Sequence, residues 1–237
     1  MKVGKILGLG LACVLTTFTC QAQFTSTVVS LTGSVLDRSS HKPVSLQIDV
    51  LDANGEKYTK AKSNSKDGYY FITGLKPGQT YTVNITDLKY LKNSMLFEVP
   101  NTDKYSEYSK DIQMVGKAMN SKIKFMVPTF EAGESMLRAG SELFLDEYVK
   151  MLVKNPEIKV SLDVYPDNNL DKNKNKVLTR GRGEAIKDYF GKMGVDAGRV
   201  TVAAYDVTDK LNPPPSGKTA KGKKYIGSVY MKITALK

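Results

Sequence analysis

Side chains that serve as nucleophile, base or metal ligand near neutral pH are scarce in this sequence. The one histidine, His41, sits in Ser39-Ser40-His41-Lys42-Pro43, a stretch that reads as a solvated turn. The two cysteines, Cys13 and Cys20, both lie near the start of the chain. Serine–histidine or cysteine–histidine chemistry would therefore have to recruit His41 from the wrong kind of segment. No Gly-x-Ser-x-Gly, His-Glu-x-x-His or phosphate-cradling glycine loop occurs. The sequence reads as non-catalytic, with no cofactor and no metal site expected. What remains is charge: 35 Lys and Arg against 24 Asp and Glu, a net +11, which suits an anionic partner. Lys172, Lys174 and Lys176 alternate with Asn173 and Asn175 and read as a polar loop able to attract an anionic glycan. Lys218, Lys221, Lys223 and Lys224 read as a second solvated loop, and Pro213-Pro214-Pro215 as a stiff turn.

The first residues carry an export signal. Lys2 and Lys5 precede an uncharged, mostly apolar run from Ile6 to Phe18, short for a permanent membrane helix. Cleavage after Ala22 would make residues 1–22 a signal peptide. Lipidation of Cys20 after cleavage at Thr19 is the other option, although Thr17-Phe18-Thr19 departs from the small residues such a site prefers. Either way no cysteine pair remains for an intrachain disulfide. Export argues against nucleic acid as the partner, and no basic motif interleaved with aromatics is present.

Two regions with different periodicities follow. From Thr25 to about Pro100 short alternating runs are broken by turn signals: Val28–Leu36, Leu46–Leu51, Tyr69–Ile72 and Thr80–Ile85, separated by Asp52-Ala53-Asn54-Gly55, Lys66-Asp67-Gly68 and Lys76-Pro77-Gly78-Gln79. This spacing predicts an all-β sandwich. From Ser121 the pattern changes. Ile123, Phe125 and Val127 alternate as a strand, and Glu134–Val153 has a helical period with Leu137, Leu143, Phe144, Tyr148 and Leu152 near one face. Ile158–Val164 alternates again, Asn168–Lys176 is a loop, and Leu178–Met193 is a second helix. Val200–Tyr205 and Tyr225–Ile233 are further strands. The β-α-β-α-β-β order predicts two helices on one mixed sheet, an α+β arrangement. The division expected is 23–103 for the sandwich, 104–120 for a linker and 121–237 for the second domain.

The first region resembles the carboxypeptidase regulatory-like domain, a transthyretin-like sandwich. The resemblance lies in Leu31-Thr32-Gly33-Ser34-Val35-Leu36-Asp37, Lys42-Pro43-Val44, Asp52-Ala53-Asn54-Gly55, Ser65-Lys66-Asp67-Gly68-Tyr69-Tyr70-Phe71 and Gly74-Leu75-Lys76-Pro77-Gly78-Gln79-Thr80-Tyr81. It implies a spacer or docking module, with Tyr69, Phe71, Leu75 and Tyr81 in the core.

The second region resembles the C-terminal, peptidoglycan-binding domain of outer membrane protein A. Asn155-Pro156-Glu157-Ile158-Lys159-Val160 is similar to the helix end and strand that lead to the family's Gly-His-Thr-Asp, which falls on Val164-Tyr165-Pro166-Asp167. Leu178-Thr179-Arg180-Gly181-Arg182-Gly183 falls on Leu-Ser-x-x-Arg-Ala. Asp188-Tyr189-Phe190, Gly194-Val195, Arg199-Val200 and Ala204-Tyr205 continue the likeness. The resemblance implies a Gram-negative envelope protein in the periplasm, associated with the outer membrane. It also implies that Asp167 meets the ammonium, and Arg182 a carboxylate, of diaminopimelate in peptidoglycan. Such a protein would tether an outer-membrane or periplasmic partner to the wall. Three departures point to the alternative, a degenerate scaffold that binds other envelope proteins. Val164-Tyr165-Pro166 replaces Gly-His-Thr, Met126 stands where the family has Asp, and the family's Asn-Arg-Arg-Val falls on Ile226-Gly227-Ser228-Val229.

Overall fold

A computed structural model of the chain describes residues 27–216 and 224–236. The leader expected over 1–22, with Cys13 and Cys20, lies outside the described residues, as do Lys218, Lys221 and Lys223. Eight strands come first: β1 (Val29–Asp37), β2 (Gln47–Leu51), β3 (Lys57–Lys62), β4 (Tyr69–Leu75), β5 (Thr80–Ile85), β6 (Asn93–Glu98), β7 (Ser106–Ser109) and β8 (Ile112–Met114). They form two sheets. One runs β4-β1-β7, with β8 also paired to β1, and the other runs β3-β2-β5-β6. Alternate residues of both meet in one core that includes Leu31 and Val35 of β1, Ile48 and Val50 of β2, and Val83 and Ile85 of β5. Each aliphatic side chain so buried contributes about 1.5–3 kcal/mol.

The inward set of β4 differs from expectation. Tyr69 and Phe71 are 44% and 45% exposed, while Tyr70 and Ile72 are buried beside the expected Leu75 and Tyr81. Tyr69-Tyr70-Phe71-Ile72 is apolar at every position, so alternation alone cannot choose the face. Pairing chooses it: Val35 N–H donates to Gly68 O at 2.9 Å, Gly33 faces Tyr70 in the ladder, and the Tyr70 hydroxyl donates to Lys110 O at 2.7 Å. Residues 104–120, expected as a linker, carry β7 and β8, each paired in parallel with β1.

The remaining elements are β9 (Lys122–Lys124), α1 (Glu142–Lys154), β10 (Ile158–Val164), α2 (Lys172–Lys192), β11 (Val200–Ala204) and β12 (Val229–Leu236). The sheet order is β11-β10-β12-β9. β10 and β11 are parallel and the other two pairs antiparallel, which is the mixed sheet that the element order predicts. Leu145, Tyr148, Val149 and Leu152 of α1, with Ile186 and Phe190 of α2, pack on Val160, Leu162, Val164, Met231 and Ile233. Gly183 lets α2 close on β11, since a Cβ there would stand 2.3 Å from Val202 Cγ1.

Both helices start elsewhere than their apolar periods suggest. α1 begins at Glu142, after turns through Gly133 and Gly140 at φ +80° and +83°, so Leu143 and Phe144 are exposed. α2 begins at Lys172, capped by Asp171, whose carboxylate accepts from Lys174 N–H. The expected loop lysines therefore lie on its first turns. Their inward neighbours are polar: Asn175 Nδ2 donates to Asn168 O and Asp206 O, and Thr179 Oγ1 donates to Tyr205 O. A buried stripe built from Asn and Thr is invisible to apolar periodicity.

The two cores are tied together. Leu91 and Val115 are buried in the second one. The fully buried Asn155 bonds the Lys92 backbone with both side-chain atoms, accepting its N–H at 2.9 Å and donating to its carbonyl at 3.1 Å. Arg38 bonds Glu147 and the Tyr148 hydroxyl, and Lys117 pairs with Glu157 at 2.6 Å. Among the described residues no helix is long and apolar enough to cross a membrane.

Candidate functional site

The end of β10 delivers Asp167 to a loop beyond the sheet, and Arg182 lies about three turns into α2. Both face the same point. Arg182 Nη1 and Nη2 donate to Asp167 Oδ1 and Oδ2 at 2.6 and 2.8 Å, a two-pronged ion pair. Arg182 is fully buried and the Asp167 side chain 9% exposed. The turn before α1 folds over the guanidinium: Nε donates to Glu134 O at 2.8 Å and Nη2 to Glu131 O at 3.0 Å. The Phe130 ring lies against it, 5.2 Å from Cζ to the ring centroid.

Asp167 gathers two further segments. Gly133 N–H donates to Oδ2 at 2.8 Å and Gly227 N–H to Oδ1 at 2.7 Å. Only glycine fits at 227, because a Cβ would stand 2.0 Å from Tyr165 O. The carboxylate thus accepts four hydrogen bonds, its full complement. Burial is the largest single influence on its pKa and raises it. The bonds from Arg182, Gly227 N–H and Gly133 N–H together outweigh burial, so the group titrates below its ordinary value. Tyr165, in the stretch that replaces Gly-His-Thr, stacks on Tyr205 with centroids 4.4 Å apart. Burial first and Tyr205 second raise its hydroxyl pKa above the usual range.

Beside the pair opens a cleft of about 350 Å³ between the segment after β9 and the segment before β12. Met126, Thr129, Tyr225 and Gly227 line it, with Lys124 and Asn212 at one side. Lys124 Nζ donates to Asn212 Oδ1. Thr129 is 3% exposed and its hydroxyl has no partner among the described residues. A buried hydroxyl without a partner costs about 1–3 kcal/mol. The oxygen itself has essentially no accessible surface, so an occupant of the cleft would bond it only after Thr129 changes rotamer.

The structure brings Asp167 and Arg182 together, spends their bonding capacity on each other and on the surrounding backbone, and leaves Arg182 no exposed surface. Arg182 stands about three turns inside α2 rather than near its start, because α2 begins at Lys172 and not at the expected Leu178. The sequence reading missed Glu131, Gly133 and Glu134, which it assigned to a helix start or left unassigned. It counted Gly227 as a lost polar contact, whereas the contact is supplied by the backbone N–H. Thr129 carries no sequence signal of its own. Cys20, the remaining candidate, lies outside the described residues.

No protein-family model matches the sequence, and no curated protein does. Solved structures share parts of it at low similarity. The TIE protein of Bacillus anthracis is 17% identical over 37% of this chain and 16% of its own length, with a TM-score of 0.32. The peptidoglycan-associated lipoprotein of Burkholderia pseudomallei is 15% identical over 45% of this chain and 87% of its own, at 0.37. The periplasmic domain of Helicobacter pylori MotB is 11% identical over 65% and 82%, at 0.39. At such scores these likenesses carry no argument about function.

Proposed function

We propose that this chain is a non-catalytic, exported envelope protein of the periplasm whose OmpA-like C-terminal part binds peptidoglycan at the Asp167–Arg182 locus. In this reading a carboxypeptidase regulatory-like sandwich precedes that part and serves as spacer, or as docking module for an outer-membrane or periplasmic partner. The observation that carries the proposal is the convergence of the two residues the OmpA resemblance assigns to diaminopimelate, beside a cleft that holds an unpartnered Thr129 hydroxyl. A zwitterionic side chain is suited to such a place. Because both residues are saturated in the closed arrangement, such a ligand displaces the turn at Gly133–Glu134: its ammonium takes the place of the Gly133 N–H at Asp167, and its carboxylate that of a backbone carbonyl held by Arg182.

The second reading is a scaffold that binds other envelope proteins and not the wall. It draws on one observation: Arg182 is fully buried with Nε, Nη1 and Nη2 all bonded within the protein. Co-sedimentation with isolated peptidoglycan sacculi separates the two. Wall binding predicts that the chain pellets with sacculi, that Thr129→Val and Met126→Lys weaken pelleting without unfolding, and that free diaminopimelate competes. A folded chain that stays in solution beside sacculi refutes wall binding and leaves the scaffold.

A further inference from the structure

The outward face of α2 has a composition that its own fold does not explain. Asn173, Lys176, Val177, Arg180 and Gly181 follow the spacing i, i+3, i+4, i+7, i+8 and line one shallow depression on the solvent side. Lys172 and Lys174 flank it, exposed, and the first turn of α2 contains no acidic residue. Cations at this end oppose the helix dipole, so they are not there to stabilise α2. Among the described residues Lys172, Lys176 and Arg180 enter no ion pair, and Lys174 reaches only its own cap, Asp171, at 3.9 Å. Glu184 and Asp188, farther along the helix, end the basic stretch.

Aliphatic groups stand among these cations with nothing covering them. Val177 is 74% exposed, Leu170 just before the cap 91%, and Met136 79%. Met136 borders this surface in the chain: Ser135, the residue before it, has its Cβ 3.0 Å from where a Gly181 Cβ would be. A soluble anionic polymer would use the lysines and gain nothing from the aliphatic side chains. A lipid surface uses both: phosphates meet the cations while short aliphatics enter the headgroup layer.

We infer that the outward face of α2, with Leu170 and Met136, is a docking surface for an anionic phospholipid membrane. The pair at Asp167 faces the other side of the helix, so this contact is independent of wall binding. The test is flotation of the full chain with phosphatidylcholine vesicles and with vesicles containing phosphatidylglycerol. The readout is the part of the increment between the two that the variants remove, since the leader, with Lys2 and Lys5, is common to wild type and variants. The increment should be large at low salt and fall on the order of a hundredfold in Lys172→Gln/Lys176→Gln/Arg180→Gln. It should also fall in Val177→Asp, with circular dichroism unchanged in both variants. Absence of an increment in the wild type overturns the inference. So does an unchanged increment in the triple variant. If Val177→Asp binds as the wild type while the triple variant does not, the face takes a charged polymer and the membrane reading fails.

Discussion

Replacing Asp167 by alanine leaves the guanidinium of Arg182 fully buried with only the carbonyls of Glu131 and Glu134 as acceptors and no opposite charge. Breaking a buried pair in this way costs about 3–5 kcal/mol. Replacing Arg182 by methionine is milder. Asp167 keeps the N–H groups of Gly133 and Gly227 and sits at the rim, 9% exposed, so about half that cost is expected. Urea unfolding reads the difference. With a slope of about 2 kcal/mol per molar, Asp167→Ala should lower the midpoint by about 2 M, and Arg182→Met by about 1 M. The double variant should cost less than the two single ones added, because it buries neither charge alone. A loss below about 1 kcal/mol for Asp167→Ala, or simple additivity of the two, would refute the reasoning that this pair is a closed, mutually dependent lock.

Other expectations follow from the same geometry. The Asp167 carboxyl has a depressed folded pKa, so its stabilisation is fully present above the unfolded value of about 3.9 and is lost as pH falls through the folded value. The stability gap between wild type and Asp167→Asn should be constant near neutrality and close in acid; a gap that widens in acid contradicts this. Thr129→Val removes an unpartnered buried hydroxyl and should raise stability by about 1 kcal/mol by calorimetry; a loss would mean the hydroxyl is bonded. Gly227→Ala places a methyl against Tyr165 O and should cost about 1–3 kcal/mol in urea unfolding. Asn155→Ala strips both bonds to Lys92 and should cost about 1–3 kcal/mol, while hydrogen exchange near Leu91 rises.

What the sequence disclosed depended on whether apolar residues carried the signal. β10 is bounded as its alternation predicts, and the order β9-α1-β10-α2-β11-β12 is legible because its core faces are Val, Ile, Leu and Phe. Where polar side chains do the packing the reading fails. Asn175 and Thr179 hold the start of α2, and no hydropathy pattern marks them. In Tyr69–Ile72 every residue is apolar, so the face is set by pairing with β1, a nonlocal fact. The same holds at the site. The resemblance pointed to Asp167 and Arg182 as neighbours, but their closure on each other depends on the turn through Gly133 and the segment through Gly227, whose contribution is backbone N–H and leaves no trace in residue type.

The parallel ladder at β1 has a mechanical consequence. β1 lies beside β7 and β8 with all three running the same way, and β8 leads directly into Val115, which is anchored in the second core. A pull on the chain ahead of Val29, against a C-terminal part held fixed, draws β1 and β8 in opposite directions along their common axis. The interstrand bonds then lie across the load and share it, instead of opening one after another from an end. The joint resists as a whole until it slips as a whole.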